Sequence, residues 1–167
     1  MASDKHSEKA KTDMAPQAAN LGIVRPPMVY LCAIILGLVL HFAWPFPLLS
    51  HVVSLPLGAL AVLVAVLLFF YAVRTFRTVG TPVPGNRPTT TIVRKGPYRW
   101  TRNPIYLAFS LFQLGIAFMV NGLWLLLTLI PAVALMSFVV IPREERYLEA
   151  RFPSDYPAYK AAVRRWL

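Results

Sequence analysis

The sequence predicts an all-α fold: a polytopic membrane helix bundle with four transmembrane helices and a C-terminal amphipathic cytoplasmic helix. Three observations predict it. First, no Asp, Glu, Lys or Arg occurs from Pro26 to Val73 or from Asn103 to Pro142. Each block is long enough for two crossings, since one helix needs about 20 apolar residues. Second, all 17 basic and 7 acidic residues fall in three polar segments: the N-terminus, a central loop and the C-terminal tail. Lipid accepts only backbones that satisfy their own hydrogen bonds, and an even number of helices puts the three polar segments on one side. Third, Arg25, Arg74, Arg77, Arg87, Arg94, Lys95, Arg99, Arg102, Arg143 and Arg146 flank the apolar blocks, while the connections around Pro45–His51 and Asn121–Gly122 carry no Lys or Arg. By the positive-inside rule, both termini and the central loop are then cytoplasmic.

Span one is expected over residues 28–43, opened by Pro26-Pro27 and closed by Trp44-Pro45-Phe46-Pro47, with Trp44 as an interfacial anchor. Span two is expected over 55–73, with Pro56 in its first turn, where a missing N–H costs nothing. The cytoplasmic loop is 74–103. Within it, residues 80–91 hold three prolines and two glycines, which rules out a helix there and specifies a loop or extended segment. Spans three and four, over 104–121 and 123–141, are joined through Asn121-Gly122 and form a tight antiparallel hairpin. Pro131 predicts a kink in span four. Pro142 fits the first turn of a new helix in the cytoplasmic tail 142–167, with Tyr147, Leu148 and Phe152 opposed to Arg143, Arg146, Glu149 and Arg151. Pro153 ends that helix, and a segment from Tyr156 to Trp166 lies along the interface.

Composition narrows the class of function. A chain of 167 residues that is 57% hydrophobic is too apolar for an ordinary soluble domain. Its net charge of +10 sits beside the spans, which favours contact with an anionic membrane leaflet and argues against nucleic acid. Cys32 is the single cysteine and reads as a small buried apolar residue, with no disulfide or thiolate metal site. His6, His41 and His51 are scattered without ligand spacing, so no metal is expected. Residues 1–25 are polar and mixed in charge and read as a disordered cytoplasmic tail. No feature fixes an oligomeric state, and no Asp, Glu, Lys or Arg inside a span suggests transport.

Two polar clusters abut the hairpin. One runs from Lys95 to Tyr106 and contains Gly96, Pro97, Tyr98, Arg99, Trp100, Arg102, Asn103 and Pro104; the other is Arg143-Glu144-Glu145-Arg146. Antiparallel spans of similar length bring them together on the cytoplasmic side. Amides at the helix start offer an anion site. Carboxylates stand opposite, with aromatic rings between, so the place suits a zwitterionic ligand with a cationic centre. The bland reading of each residue is topological: belt aromatics, flanking arginines, and acids at a helix N-terminus.

The string Gly96-Pro97-Tyr98-Arg99-x-x-Arg102-Asn103-Pro104-x-Tyr106, followed by Glu144-Glu145 and then Leu148, Phe152, Tyr156 and Tyr159, resembles the isoprenylcysteine carboxyl methyltransferase and phospholipid methyltransferase superfamily. That family shows Arg-His-Pro-x-Tyr-x-Gly, a hydrophobic hairpin, then Glu-Glu. The resemblance covers about Arg74 to Leu167. Asn103 stands where the family often has His, a common bacterial variant, and Ala108 stands where it has Gly. The resemblance implies a membrane methyltransferase domain over 26–167 that binds S-adenosylmethionine. The implied cofactor contacts are Gly96, Pro97, Tyr98, Arg102, Asn103, Pro104, Tyr106, Glu144, Glu145, Tyr156 and Tyr159, with Arg102, Glu144 and Glu145 as candidate catalytic residues. The methyl acceptor would be a lipophilic small molecule or a lipid of the surrounding membrane. A bacterial inner membrane with a cytoplasmic active site is the expected location. Competing readings are a membrane reductase with a nicotinamide cofactor, whose dinucleotide needs more basic contacts than so short a chain offers, and a non-catalytic scaffold.

Overall fold

Helix α1 (Pro26–Ala43) begins at the proline pair and stops before Trp44-Pro45, since a residue preceding proline is pushed out of the helical region. The computed structural model describes residues 25–80 and 89–167. The expected tail over 1–25, apart from Arg25, lies outside the described residues, as does most of the expected loop over 80–91. Helix α2 is His51–Val79, a single 3₁₀ turn covers Gly96–Arg99, and α3 is Pro104–Met119. Helix α4 (Leu123–Leu135) runs through a π segment (Met136–Val140) into α5 (Ile141–Arg151), and α6 (Asp155–Ala162) follows. No strand occurs among the described residues; Thr101 and Arg164 form one isolated parallel bridge. Pro26–Ala43, His51–Val79 and the continuous helix Leu123–Arg151 are long and apolar enough to cross a membrane, and Pro104–Met119 is a shorter apolar helix.

Along α2, up to Thr75, small residues face inward and large ones outward. On α2 the buried side chains include Ser54, Gly58, Ala65, Ala72 and Thr75, whereas Leu55, Leu60, Leu63, Leu67 and Phe70 are exposed. Lipid tails are as apolar as leucine, so helices in a membrane gain by close backbone approach rather than by hiding bulk. Helices α2 and α3 approach closely. A Cβ added to Gly58 would lie 2.5 Å from the Met119 nitrogen and 2.7 Å from the Gly115 oxygen. Helix α1 packs on α4, where Gly37 meets Leu125 and Thr128. Gln113 crosses the hairpin to donate to the Leu125 carbonyl (3.1 Å) and the Thr128 hydroxyl (3.2 Å).

Several boundaries differ from the sequence expectation. Helix α2 extends beyond 55–73 at both ends, because nothing between Arg74 and Val79 breaks a helix and charge alone does not stop one. Pro56 accordingly lies inside α2 rather than in its first turn. The N–H it lacks would have served Val52, in the exposed opening turn. Pro131 lies within α4 without ending it. Pro142 starts no separate helix. Helix α4 passes directly into α5, and the π segment absorbs the proline: the Ile141 N–H bonds the Met136 carbonyl, five residues back. That shift leaves the Ser137 carbonyl for residue 142, which has no N–H to give. Cys32, expected to be buried, is exposed on the outer face of α1, where a small apolar side chain sits as comfortably against lipid as in a core.

Candidate functional site

The residues leading into α3, Arg102 among them, and the charged part of α5 meet α6 and the C-terminal residues. Gly96 has φ 57°, and a Cβ there would lie 2.6 Å from Thr75 Oγ1 on α2, so a side chain is excluded by conformation and by space. This holds the turn against α2. Pro97 and Pro104 are fully buried, and Tyr98 packs edge-on against Phe76 with ring centroids 4.9 Å apart. Gly96 is thus packed against α2, and Pro97 and Pro104 are buried beside the polar cluster.

Two carboxylates one residue apart take different partners. Glu144 Oε1 accepts from the Tyr106 hydroxyl at 2.5 Å. Glu145, buried to 4% exposure, faces three cations: Arg165 Nη2 is 2.8 Å from Oε2, Arg102 Nη2 is 3.3 Å from Oε1, and Lys160 Nζ is 3.5 Å from Oε2. Lys160 also pairs with Glu149 at 2.7 Å. The Arg102 side chain is only 9% exposed, and its Nε and Nη1 are buried without a hydrogen-bond partner among the described residues.

The chain's last residues close the site. The Arg102 N–H donates to the Arg164 carbonyl at 2.9 Å. Asn103 Nδ2 (3.0 Å) and Thr101 Oγ1 (3.2 Å) both donate to the Arg165 carbonyl. Arg165 Nη1 donates to the Ser137 carbonyl at 3.3 Å, the group that Pro142 leaves unserved, and Trp166 Nε1 reaches Ser137 Oγ at 3.2 Å. From α6, the Tyr159 hydroxyl donates to the Tyr98 carbonyl at 2.8 Å, and the Tyr156 ring lies 6.1 Å from the Tyr159 ring.

Burial governs the titration of these groups. It pushes the Tyr98 hydroxyl up, helped by Tyr159 and Glu144 nearby. It pushes Tyr156 up as well, with Glu145 adding to the rise and Arg102 opposing it. Tyr159 is raised to about 12 by burial, against the pull of Arg102 and Arg94. All three stay neutral donors at physiological pH. The apolar stretch of the α4–α5 helix ends at Ile141, and beyond it burial raises the Glu144 carboxyl to about 7; the Tyr106 hydrogen bond opposes the rise and Glu145 adds to it. Glu144 is therefore poised to change charge with its surroundings.

Of the residues expected from sequence, Arg102, Asn103, Tyr106, Glu144 and Glu145 come together with Tyr98, Tyr156 and Tyr159 around them. Thr101, Ser137, Lys160, Arg164, Arg165 and Trp166 also belong to the assembly. A clue to the last group was present in the sequence: the paired arginines Arg164-Arg165 against so few carboxylates.

A family profile described as Phospholipid methyltransferase matches residues 53–155, more than half of the chain and including both polar clusters. Cobalt-zinc-cadmium resistance protein CzcN of Cupriavidus metallidurans (strain ATCC 43123 / DSM 2839 / NBRC 102507 / CH34) is 39% identical over 67 residues, which are 40% of this chain and 31% of that protein's length. No solved structure matches.

Proposed function

The chain belongs to the phospholipid methyltransferase family, and we propose that it is an integral membrane enzyme that moves a methyl group from S-adenosylmethionine to a lipophilic or amphiphilic acceptor. The observation that carries this reading is Arg102. A buried guanidinium with two unmet donors is costly, on the order of 1–3 kcal/mol or more for each stranded group, and an anion at that place removes the cost. The amino-acid carboxylate of S-adenosylmethionine is such an anion, held as a charge-assisted pair. Glu144, with Tyr106 beside it, supplies the complementary negative charge for the cationic part. Glu145, already paired with three cations, orients Arg102.

The cofactor supplies an electrophilic methyl on a sulfonium, displaced in line by the acceptor's nucleophile. The protein's share is orientation and exclusion of water. Asn103 contributes hydrogen bonding without proton exchange, and Tyr98, Tyr156 and Tyr159 line the approach. Lipid headgroups and other amphiphiles reach such a place sideways between helices. Domain 26–167 crosses four times, with Pro104–Met119 as the short third span and with both termini, the site and the central loop in the cytoplasm of a bacterial cell.

Titration of the detergent-purified protein with S-adenosylmethionine and S-adenosylhomocysteine tests the cofactor. Binding that weakens ten- to a hundredfold in Arg102→Gln is expected, the loss of about 1.5–3 kcal/mol in a charge-assisted contact. Absence of binding to either compound would sink the proposal. Orientation is read by placing single cysteines at Ser50 and Lys160 after Cys32→Ala; in sealed inside-out vesicles only position 160 should react with an impermeant maleimide.

A further inference from the structure

We propose that Arg165, which lies beyond the family match and bonds the expected motif through Glu145 and through its own backbone carbonyl, is a positioning residue for the cofactor site. It occupies Glu145 so that Arg102 keeps two donors for an anion. This rests on the reading that Arg102 receives the cofactor's carboxylate.

The geometry around Glu145 carries the argument. A guanidinium and a carboxylate left to themselves form a fork with two parallel bonds. Arg165 makes that fork, Nε to Oε1 at 3.2 Å and Nη2 to Oε2 at 2.8 Å. Arg102 is left with a single edge contact, Nη2 to Oε1 at 3.3 Å, and its Nε and Nη1 have no partner among the described residues. Arg165 therefore takes the geometry that would otherwise consume Arg102.

Arg165 is anchored to keep that place. Its Nη1 bonds the Ser137 carbonyl, which is free because the π segment and Pro142 offer it no N–H. Its own carbonyl accepts from Asn103 and Thr101 at the start of α3. The π segment and α5 thus hold its side chain, and the start of α3 holds its backbone. The Arg165 side chain is 35% exposed, against 9% for Arg102, so the cation nearer to water holds the carboxylate and the deeper one stays available. Without Arg165, the Glu145 carboxylate turns to grip Arg102 with both oxygens, and the anion site closes.

The test is a double-variant cycle on S-adenosylhomocysteine affinity, measured calorimetrically with Arg165→Gln, Arg102→Gln and both together, with thermal unfolding of each recorded in the same detergent. Arg165→Gln should weaken binding about tenfold. In the Arg102→Gln background it should weaken it no further, because its effect passes through Arg102. Additive losses would overturn the inference, since Arg165 would then act on the ligand directly or on the fold at large. Wild-type affinity in Arg165→Gln would overturn it as well, while leaving the methyltransferase reading intact. If the wild-type protein binds neither S-adenosylhomocysteine nor S-adenosylmethionine, both fall. Should Arg165→Gln not fold, Arg165→Lys enters the same cycle: it keeps the charge but cannot form the fork, and it should show a smaller loss with the same non-additivity. Affinity equal to wild type in that variant would count against the proposal.

Discussion

At the end of the bundle where α1 turns into α2 and α3 into α4, the chain is tied by neutral bonds. Asn121 sits at φ 54°; its Oδ1 accepts from the Leu48 and Leu49 amides, each at 2.9 Å, and its Nδ2 donates to the Leu49 carbonyl at 2.6 Å. Trp124 Nε1 donates to the Trp44 carbonyl at 2.6 Å, and the Leu123 amide to Phe46 at 3.1 Å. At the opposite end the tie is ionic, centred on Glu145. Both ends solve the same problem, closing a connection between antiparallel helices. Asn121 spends its polar groups inside the fold, and the atoms left without partners nearby, His41 Nδ1 and Ser54 Oγ, are single atoms on separate residues. The ionic end leaves a buried cation incompletely paired. A structural tie consumes its own hydrogen-bonding capacity, whereas a site keeps some in reserve.

The largest expected effect comes from breaking the ionic tie. Glu145→Gln removes the carboxylate shared by Arg102, Lys160 and Arg165 and leaves Arg102 buried without its counter-charge. The expected loss is ~3–5 kcal/mol in stability, together with cofactor binding. Thermal unfolding in detergent checks it. A variant as stable as wild type would mean that Glu145 serves the ligand alone.

Glu144 comes next, and its effect should be on binding and pH rather than on the fold. Its carboxyl is raised from 4.5 to about 7, so between these values the folded protein holds a proton that the unfolded chain releases. The contribution of this group to stability is fully present below pH 4.5 and is lost as pH rises through about 7. A cation bound beside it reverses the preference, so S-adenosylmethionine affinity should increase as pH rises through about 7. Glu144→Gln should flatten that profile and weaken binding roughly ten- to a hundredfold. An unchanged profile would remove Glu144 from the cation's surroundings.

Much of this arrangement was legible in the sequence because its signals are local or rest on bulk chemistry. Charge-free blocks gave the helices, Asn121-Gly122 gave the hairpin, and the spacing between Arg102 and Glu144-Glu145 put opposite charges at one end. What stayed hidden was long-range or relational. Nothing local distinguishes Arg165 from the other tail cations; its place is set by contacts with Ser137 and Asn103, 28 and 62 residues away in sequence. Proline at 142 read as a helix start, yet a π turn let the helix continue. The ends of α2 were missed because a charge marks a membrane surface and not a helix terminus. Cys32 was misplaced because in a bundle surrounded by lipid, apolar character does not separate inside from outside.

The neutral end supplies the contrasting case. Asn121→Ala removes three hydrogen bonds, leaves the amides of half-buried Leu48 and exposed Leu49 to water, and forces a Cβ residue with no side-chain polar group to hold φ 54°. The expected cost is about 1–2 kcal/mol of stability, with S-adenosylhomocysteine affinity unchanged. Weakened binding would mean that the two ends communicate through the hairpin, and the division between structural tie and site would fail.

The smallest effect should come from a charge at the ionic end that lies outside the network. Arg94 Nη2 is 3.3 Å from the Asp155 carboxylate, but both side chains are about half exposed or more, and the same nitrogen also bonds the Asp155 carbonyl at 2.8 Å. Water screens such a pair, and its long side chains lose freedom on forming it, so Asp155→Asn should change stability by less than about 0.5 kcal/mol. The main-chain bond survives the substitution, which isolates the ion pair itself. Cofactor affinity should not move, since the bonds of this pair run between Arg94 and Asp155 and not to Arg102, Glu144 or Glu145. A large loss here would show that charge at this end acts collectively as a field rather than through the buried contacts of Glu145, and the effect would then shrink as salt is raised toward a Debye length of about 3 Å at 1 M. A loss that resists salt would instead place Asp155 at the N-terminus of α6 as a support for Tyr156 and Tyr159.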